Sequence, residues 1–249
     1  MTQTLLSAKN VTRRFGGLVA IDNVSVGLDR GQVHAVIGTN GAGKSTLINV
    51  LSGEIAPNEG AIIMNGTDIT RWPQPNRARA GLGRSYQRTT IFPTLTVHEN
   101  CRLSAQAKHQ KFWSWATSSR SCRVSNEAAD RALELTGLAN VSDRTAGLLS
   151  HGGKRQLEIA MCLATHPAVL LLDEPLAGMG AEETDRMLDL LDSLKKEHAI
   201  LLVEHDMDAV FRVSDLITVM VNGAVIAHGD PEAIRTNPEV QTAYLGEDE

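Results

Sequence analysis

Residues Gly38-Thr39-Asn40-Gly41-Ala42-Gly43-Lys44-Ser45, with Thr46 next, have the types and spacing of an anion cradle, G-x-x-x-x-G-K-[ST]. Glycines let the backbone approach a phosphate with no Cβ in the way. Successive N–H groups then face one concavity, and a helix N-terminus adds positive potential there. In such a loop Lys44 reaches the β- and γ-phosphates of a nucleoside triphosphate, and the Ser45 hydroxyl sits on Mg²⁺. A chance glycine-rich turn can share the spacing, but the flanks here agree with the cradle. Val33-His34-Ala35-Val36-Ile37 is a short apolar run bounded by glycines, which reads as a buried strand. Thr46 to Leu51 opens a helix, and Gly53 stands where it would stop.

Two more runs end in groups that do chemistry. Val169-Leu170-Leu171-Leu172 is fully apolar, as suits a parallel strand covered on both faces, and it ends in Asp173-Glu174-Pro175. Carboxylates at a strand's C-terminal end lie where open α/β sheets place ligands. Ile200-Leu201-Leu202-Val203 is a similar strand and delivers Glu204-His205-Asp206 to the same edge. Isolated histidines and strand-end acids are usually structural. A phosphate loop in the same chain shifts that balance toward function.

The remaining elements must hold these groups in place. Asn65-Gly66 and Asn222-Gly223 each sit between apolar flanks and signal hairpins, so antiparallel strands are expected beside the parallel core. Leu5-Leu6 and Val24-Ser25-Val26 read as short strands, and Gly81 to Gln87 contains another. Thr96 and Glu99 have capping-box spacing. From there to about Thr165 the pattern is helical, with Gly137 as a stop. Glu182 to Lys196 is an amphipathic helix turning Met187, Leu188, Leu190, Leu191 and Leu194 inward. Asp230-Pro231-Glu232 starts a last helical region. The expected organisation is one α/β domain of 249 residues: 1–87 and 166–249 form the core with an antiparallel β subdomain, and 88–165 form an inserted helical subdomain. Phe15, one of four phenylalanines, stands before Gly16-Gly17; a core position under a turn and a stacking platform for a purine fit it equally.

Composition excludes several classes. A net charge of −5 argues against a dedicated nucleic-acid binder, although Lys108 to Arg123 is locally basic with Phe112, Trp113 and Trp115 clustered, which favours a docking surface or loop. No apolar run approaches the ~20 residues of a membrane span, and the first residues lack the pattern of a signal peptide. Cys101, Cys122 and Cys162 show no metal-ligand spacing and read as free thiols of a reducing compartment. No [NT]-K-x-D base-reading motif of a GTPase is present in the chain.

In order along the chain, these pieces resemble an ABC transporter ATPase. Gly38 to Ser45 matches Walker A, Gln87 falls at the Q-loop glutamine, and Leu149-Ser150-His151-Gly152-Gly153 resembles the LSGGQ signature. Leu170 to Asp173 matches Walker B, Glu174 stands at the catalytic glutamate, Ala177-Gly178-Met179 at the D-loop and His205 at the switch histidine. Phe15-Gly16-Gly17, Val203 to Met207 and Ala243 to Glu247 are similar to the ATPases of branched-chain amino acid importers and their urea and amide relatives. Lipopolysaccharide-export ATPases share the last of these, so such an exporter, or a soluble ABC ATPase outside transport, is the alternative.

The resemblance implies bound ATP and Mg²⁺. Phe15, Gly38, Asn40 to Thr46 and Gln87 would contact nucleotide; Ser45, Gln87 and Asp173 would contact the metal; and Lys44, Glu174 and His205 would act in hydrolysis. Ser150, Gly152 and Gly153 would clamp ATP held by a second ATPase subunit. Permease subunits in the membrane, a second ATPase and, indirectly, an external solute-binding protein are the implied partners, with the chain on the cytoplasmic face. His151 and Gly153 depart from the usual signature residues, and the D-loop lacks its usual aspartate.

Overall fold

The computed structural model describes residues 3–87, 90–109 and 122–245. The chain opens with two long paired strands, β1 (Thr4–Phe15) and β2 (Leu18–Asp29). Only fragments of them read as strand in the sequence, because the ladder shifts register repeatedly and each shift breaks the in–out alternation. Thr12 to Phe15 is the end of β1, and only Gly16-Gly17 forms the turn.

Next comes β3 (Val33–Gly38), buried throughout, and then α1 (Lys44–Ser52), closed by Gly53 at φ 83°. Strands β4 (Glu59–Met64) and β5 (Thr67–Asp68) flank the Asn65-Gly66 turn, whose residues have φ of 49° and 77° as a primed hairpin turn requires. The short helix α2 (Gln74–Arg79) and strand β6 (Leu82–Arg84) lead into α3 (Val97–His109). Thr96 accepts the Glu99 amide at 3.1 Å, one half of the expected capping box. α4 (Arg123–Leu135) and α5 (His151–Leu163) complete the helical part, and Gly137 follows α4 at φ 71°. Residues 110–121 of the basic stretch, with Phe112, Trp113 and Trp115, lie outside the described residues. Lys108 is tied back, donating to Thr165 O at 2.5 Å beyond the end of α5.

The last third supplies β7 (Val169–Asp173), α6 (Ala181–Leu194), β8 (Ala199–Val203), α7 (Met207–Val213), β9 (Leu216–Val221), β10 (Ala224–Gly229), α8 (Pro231–Arg235) and α9 (Pro238–Leu245). All five inward residues expected of α6 are buried.

Two sheets result: antiparallel β2-β1-β4-β5, and β10-β9-β3-β8-β7-β6, parallel except for its β10–β9 edge. The fold class is therefore the expected one, α/β with a mostly parallel core. One apolar layer, with Ile21, Leu47, Leu51 and Leu171, fills the space between the sheets around α1. A second, with Leu157, Leu170, Met187 and Leu202, joins the other face of the core sheet to α3, α4, α5 and α6. No helix among the described residues is long and apolar enough to cross a membrane.

Candidate nucleotide-binding site

Parallel register brings three chemical segments to one sheet edge. Val36 pairs with Val203, and Val203 with Asp173, so β3, β8 and β7 end together. The glycine loop leaves β3, Asp173-Glu174 ends β7, and Glu204-His205 follows β8.

The loop is shaped by its close neighbours. A Cβ on Gly38 would stand 2.1 Å from Met220 O, and one on Gly43 2.4 Å from Ala20 O. Gly41, at φ 80°, has nothing within 4 Å of that position and faces open space. The Asn222-Gly223 turn braces the loop from outside, with Gly223 N donating to Ala42 O at 3.1 Å and Gly223 O accepting the Asp22 amide at 2.8 Å. Lys44 Nζ donates to Gly38 O at 2.6 Å and Thr39 O at 2.9 Å, so the ammonium lies under the loop it would serve.

Beside the loop is a cleft of about 490 Å³, lined by residues 40–46 together with Phe15, Leu18, Gln87, Glu174 and Asn222. Phe15 is 43% exposed and forms a wall of the cleft, with the Arg13 guanidinium 4.5 Å over its ring. Across the cleft Gln87 Nε2 donates to Glu174 Oε2 at 3.0 Å. Glu174 has φ 49°, a conformation uncommon outside glycine, and its amide is held by Val203 O at 2.9 Å.

Asp173 is buried, its pKa pushed up chiefly by loss of solvent, with Arg84 opposing that shift. Its Oδ1 has no hydrogen-bond partner among the described residues. An orphaned buried carboxylate oxygen beside a phosphate cradle suits a hard cation or its bound water. Among the described residues no group of three or more His, Cys, Asp or Glu side chains could hold a metal ion.

Other expected residues lie apart. The His205 side chain is 66% exposed and is not among the residues lining the cleft; its Nδ1 is 3.8 Å from Glu204 Oε2. Glu204 is buried, which raises its pKa, and it accepts the amides of Leu176 at 2.8 Å and His205 at 3.2 Å. It therefore ties the turn after Glu174 to the histidine. Ser150, Gly152 and Gly153 line a separate small pocket with Glu183 and Arg186. Ser150 caps α5 by accepting Gly153 N at 3.1 Å and donates its hydroxyl to Glu183 Oε1 at 3.0 Å. Glu183 lies so close that a Cβ on Gly152 would be 2.5 Å from its carboxylate carbon.

Several contributors were not foreseen from sequence. Asn222 was visible only as a turn residue, and its place in the cleft wall follows from long-range packing. Arg84 reaches Ser52, Glu54 and Asn49 while standing 4.0 Å from Asp173 Oδ2, a linkage no local pattern announces.

A family model described as ABC transporter matches residues 21–177, which span the glycine loop, Gln87, Ser150 and Glu174. The chain belongs to the ABC transporter family. A second model, branched-chain amino acid ATP-binding cassette transporter, matches the ABC chain's residues 224–249. The chain is 41% identical to the high-affinity branched-chain amino acid transport ATP-binding protein BraF of Pseudomonas aeruginosa, over 99% of this chain and 100% of that one. It is equally 41% identical to LivG of Escherichia coli K12, with the same coverage. Among solved structures, an ABC transporter's ATP-binding cassette in its ADP conformation superposes with a TM-score of 0.88 at 30% identity, covering 98% of this chain and 100% of that one. A nucleotide-free cassette gives 0.87 at 30% identity, covering 97% and 99%. The cleft described above is therefore the candidate nucleotide site of an ABC ATPase.

Proposed function

We propose that this chain is the ATP-hydrolysing subunit of an importer for branched-chain amino acids. The observation that carries the reading is its full-length similarity, at 41% identity, to subunits named for high-affinity branched-chain amino acid transport. The geometry supports the chemistry. Amides of residues 40–46 and Lys44 would bind the triphosphate, Phe15 would stack on the base, and Ser45 with Asp173 would hold Mg²⁺. Held there, the metal would supply positive charge that neutralises the triphosphate. Glu174 would orient and polarise the attacking water, which adds to the γ-phosphorus as the bond to the β-phosphate oxygen breaks. His205 would reach the γ-phosphate only after moving from its exposed position. Gln87 would leave Glu174 for the metal site as nucleotide enters.

In this reading 88–165 acts as a helical unit that carries Ser150, Gly152 and Gly153 to ATP on a second ATPase subunit. Permease subunits are the membrane partners, with a solute-binding protein beyond them, and the chain sits on the cytoplasmic face. A groove of about 350 Å³ bordered by Gln74, Tyr86, Thr90 and Met161 adjoins Gln87 and suits a docked permease segment. The test is uptake of labelled leucine, isoleucine and valine by cells carrying Lys44→Ala at the native locus. Loss of uptake supports the reading, and unchanged uptake of all three overturns it.

A further inference from the structure

Two buried side chains on α5 hold the backbone around Gln87. Arg155 is 5% exposed and Glu158 4%. Arg155 Nη1 donates to Tyr86 O at 2.8 Å and to Glu158 Oε2 at 3.0 Å, while its Nη2 donates to Gln87 O. Glu158 Oε1 accepts the Thr90 amide at 2.6 Å. One ion pair thus spans the Q-loop, touching carbonyls on one side and an amide on the other. The same helix begins at Ser150, which caps its first turn. Gln87 in turn bonds Glu174.

Stability alone does not explain this arrangement. Burying an ion pair costs desolvation that its attraction roughly repays, and well-packed apolar residues often serve as well. Burial raises the Glu158 pKa despite its amide and Arg155 partners, which shows that cost. What the pair uniquely supplies is direction. A planar guanidinium fork fixes two successive carbonyls relative to the helix axis, which neither lysine nor an apolar side chain can do.

We propose that Arg155 and Glu158 are positioning residues that transmit the placement of α5, and so of Ser150, to Gln87 and through it to Glu174. The inference rests on the hydrolytic reading of Glu174 and Gln87 given above. A shift of α5 as a rigid element drags the Tyr86 and Gln87 carbonyls with it, so the Gln87 amide approaches or leaves Glu174. Engagement of the signature by a partner is thereby reported at this chain's own cleft.

A mutant cycle tests this in the complete transporter, reading ATP hydrolysis under steady state. Arg155→Met should lower kcat roughly tenfold or more with KM for ATP held within about twofold, because binding groups are untouched and geometry is lost. Arg155→Lys, whose ammonium can meet one of the two carbonyls but cannot fix both, should recover only part of that loss. In a Gln87→Ala background, Arg155→Met should add little further loss, since Arg155 acts through Gln87. A full additional loss in that background, or equal changes in kcat and KM, overturns the proposal. If Arg155→Met does not fold, Glu158→Gln, which keeps shape and one acceptor, replaces it in the same cycle with the same expectations. Should Gln87→Ala alone leave kcat unchanged, the underlying reading of Gln87 fails, a result distinct from additivity in the cycle.

Discussion

Gln87 donates its side-chain amide to Glu174 Oε2 at 3.0 Å, although 87 positions separate the two in the chain. The bond joins the start of the helical part to the end of β7. It holds the Glu174 carboxylate at the wall of the cleft until, in the proposed function, Gln87 leaves it for the metal site and frees it to orient water. Glu174→Gln should bind MgATP with near-normal affinity while hydrolysis falls by a factor on the order of 10²–10⁴, the usual contribution of a general base. Equilibrium nucleotide binding together with single-turnover hydrolysis checks both halves.

The two classes of loop glycine should respond differently. Gly38→Ala places its Cβ 2.1 Å from Met220 O, so the chain should lose folded yield. Gly41→Ala meets no atom within 4 Å but keeps a positive φ, costing on the order of 1 kcal/mol. It should fold and still lose ATP affinity, because the new methyl group projects where phosphate approaches. Thermal melts paired with nucleotide titration separate the two outcomes.

Both sites illustrate what was legible in the sequence. The glycine loop, the Asp173-Glu174 strand end and the Asn-Gly turns are local patterns, each complete within a few residues, and the structure forms all of them. β1 and β2 were only partly visible because bulges break the alternation that marks a strand. Arg155, Glu158 and Asn222 act through partners dozens of residues away. Nothing within their own segments distinguishes them from ordinary helix and turn residues. His205 was legible by type and position, but its exposed side chain shows that strand-end placement alone does not bring a residue into the cleft.

Arg77 offers a stability prediction. It is fully buried and donates to the carbonyls of Trp72, Val50, Leu51 and Thr70, closing the C-terminal end of α1. Burial lowers its pKa to about 10, so it remains charged at neutral pH. Arg77→Met strands those carbonyls at about 1–3 kcal/mol for each buried group left unpaired. The melting temperature should fall by roughly 10 °C or more, at about 2–4 °C per kcal/mol in a chain of this size. Arg77→Lys should recover little, since one ammonium cannot span acceptors arranged around a plane.

His34 predicts acid sensitivity. Its Nδ1 bonds Gly27 O at 2.8 Å, and its Nε2 bonds Thr218 Oγ1 at 2.8 Å, which in turn meets His228 Nδ1 at 2.9 Å. Burial lowers its pKa from 6.5 to about 4. A folded-state pKa below the unfolded value means that the unfolded chain binds the extra proton between these limits. The contribution of neutral His34 is therefore complete above pH 6.5 and lost progressively as pH falls toward 4. Denaturant titrations from pH 7 to pH 4 should show a decline that His34→Gln flattens.

The contact between Ser150 and Glu183 bears on dimerisation. Glu183 sets a negative charge against the first turn of α5, where the proposed function brings the partner's γ-phosphate. Glu183→Gln removes that repulsion, so ATP-driven dimerisation in the Glu174→Gln background should need several-fold less ATP, on the scale of about 1 kcal/mol per surface charge contact. Light scattering against ATP concentration reads the midpoint.

The central claim, that this chain powers transport by hydrolysing ATP on a membrane complex, is tested most directly by purifying tagged Glu174→Gln with MgATP from its native membranes. The account predicts recovery with stoichiometric integral-membrane permease subunits and trapped, unhydrolysed ATP, in a complex whose wild-type counterpart hydrolyses ATP faster when a branched-chain amino acid and its binding protein are added. Recovery with no membrane subunit, or a wild-type complex indifferent to those amino acids, would contradict it.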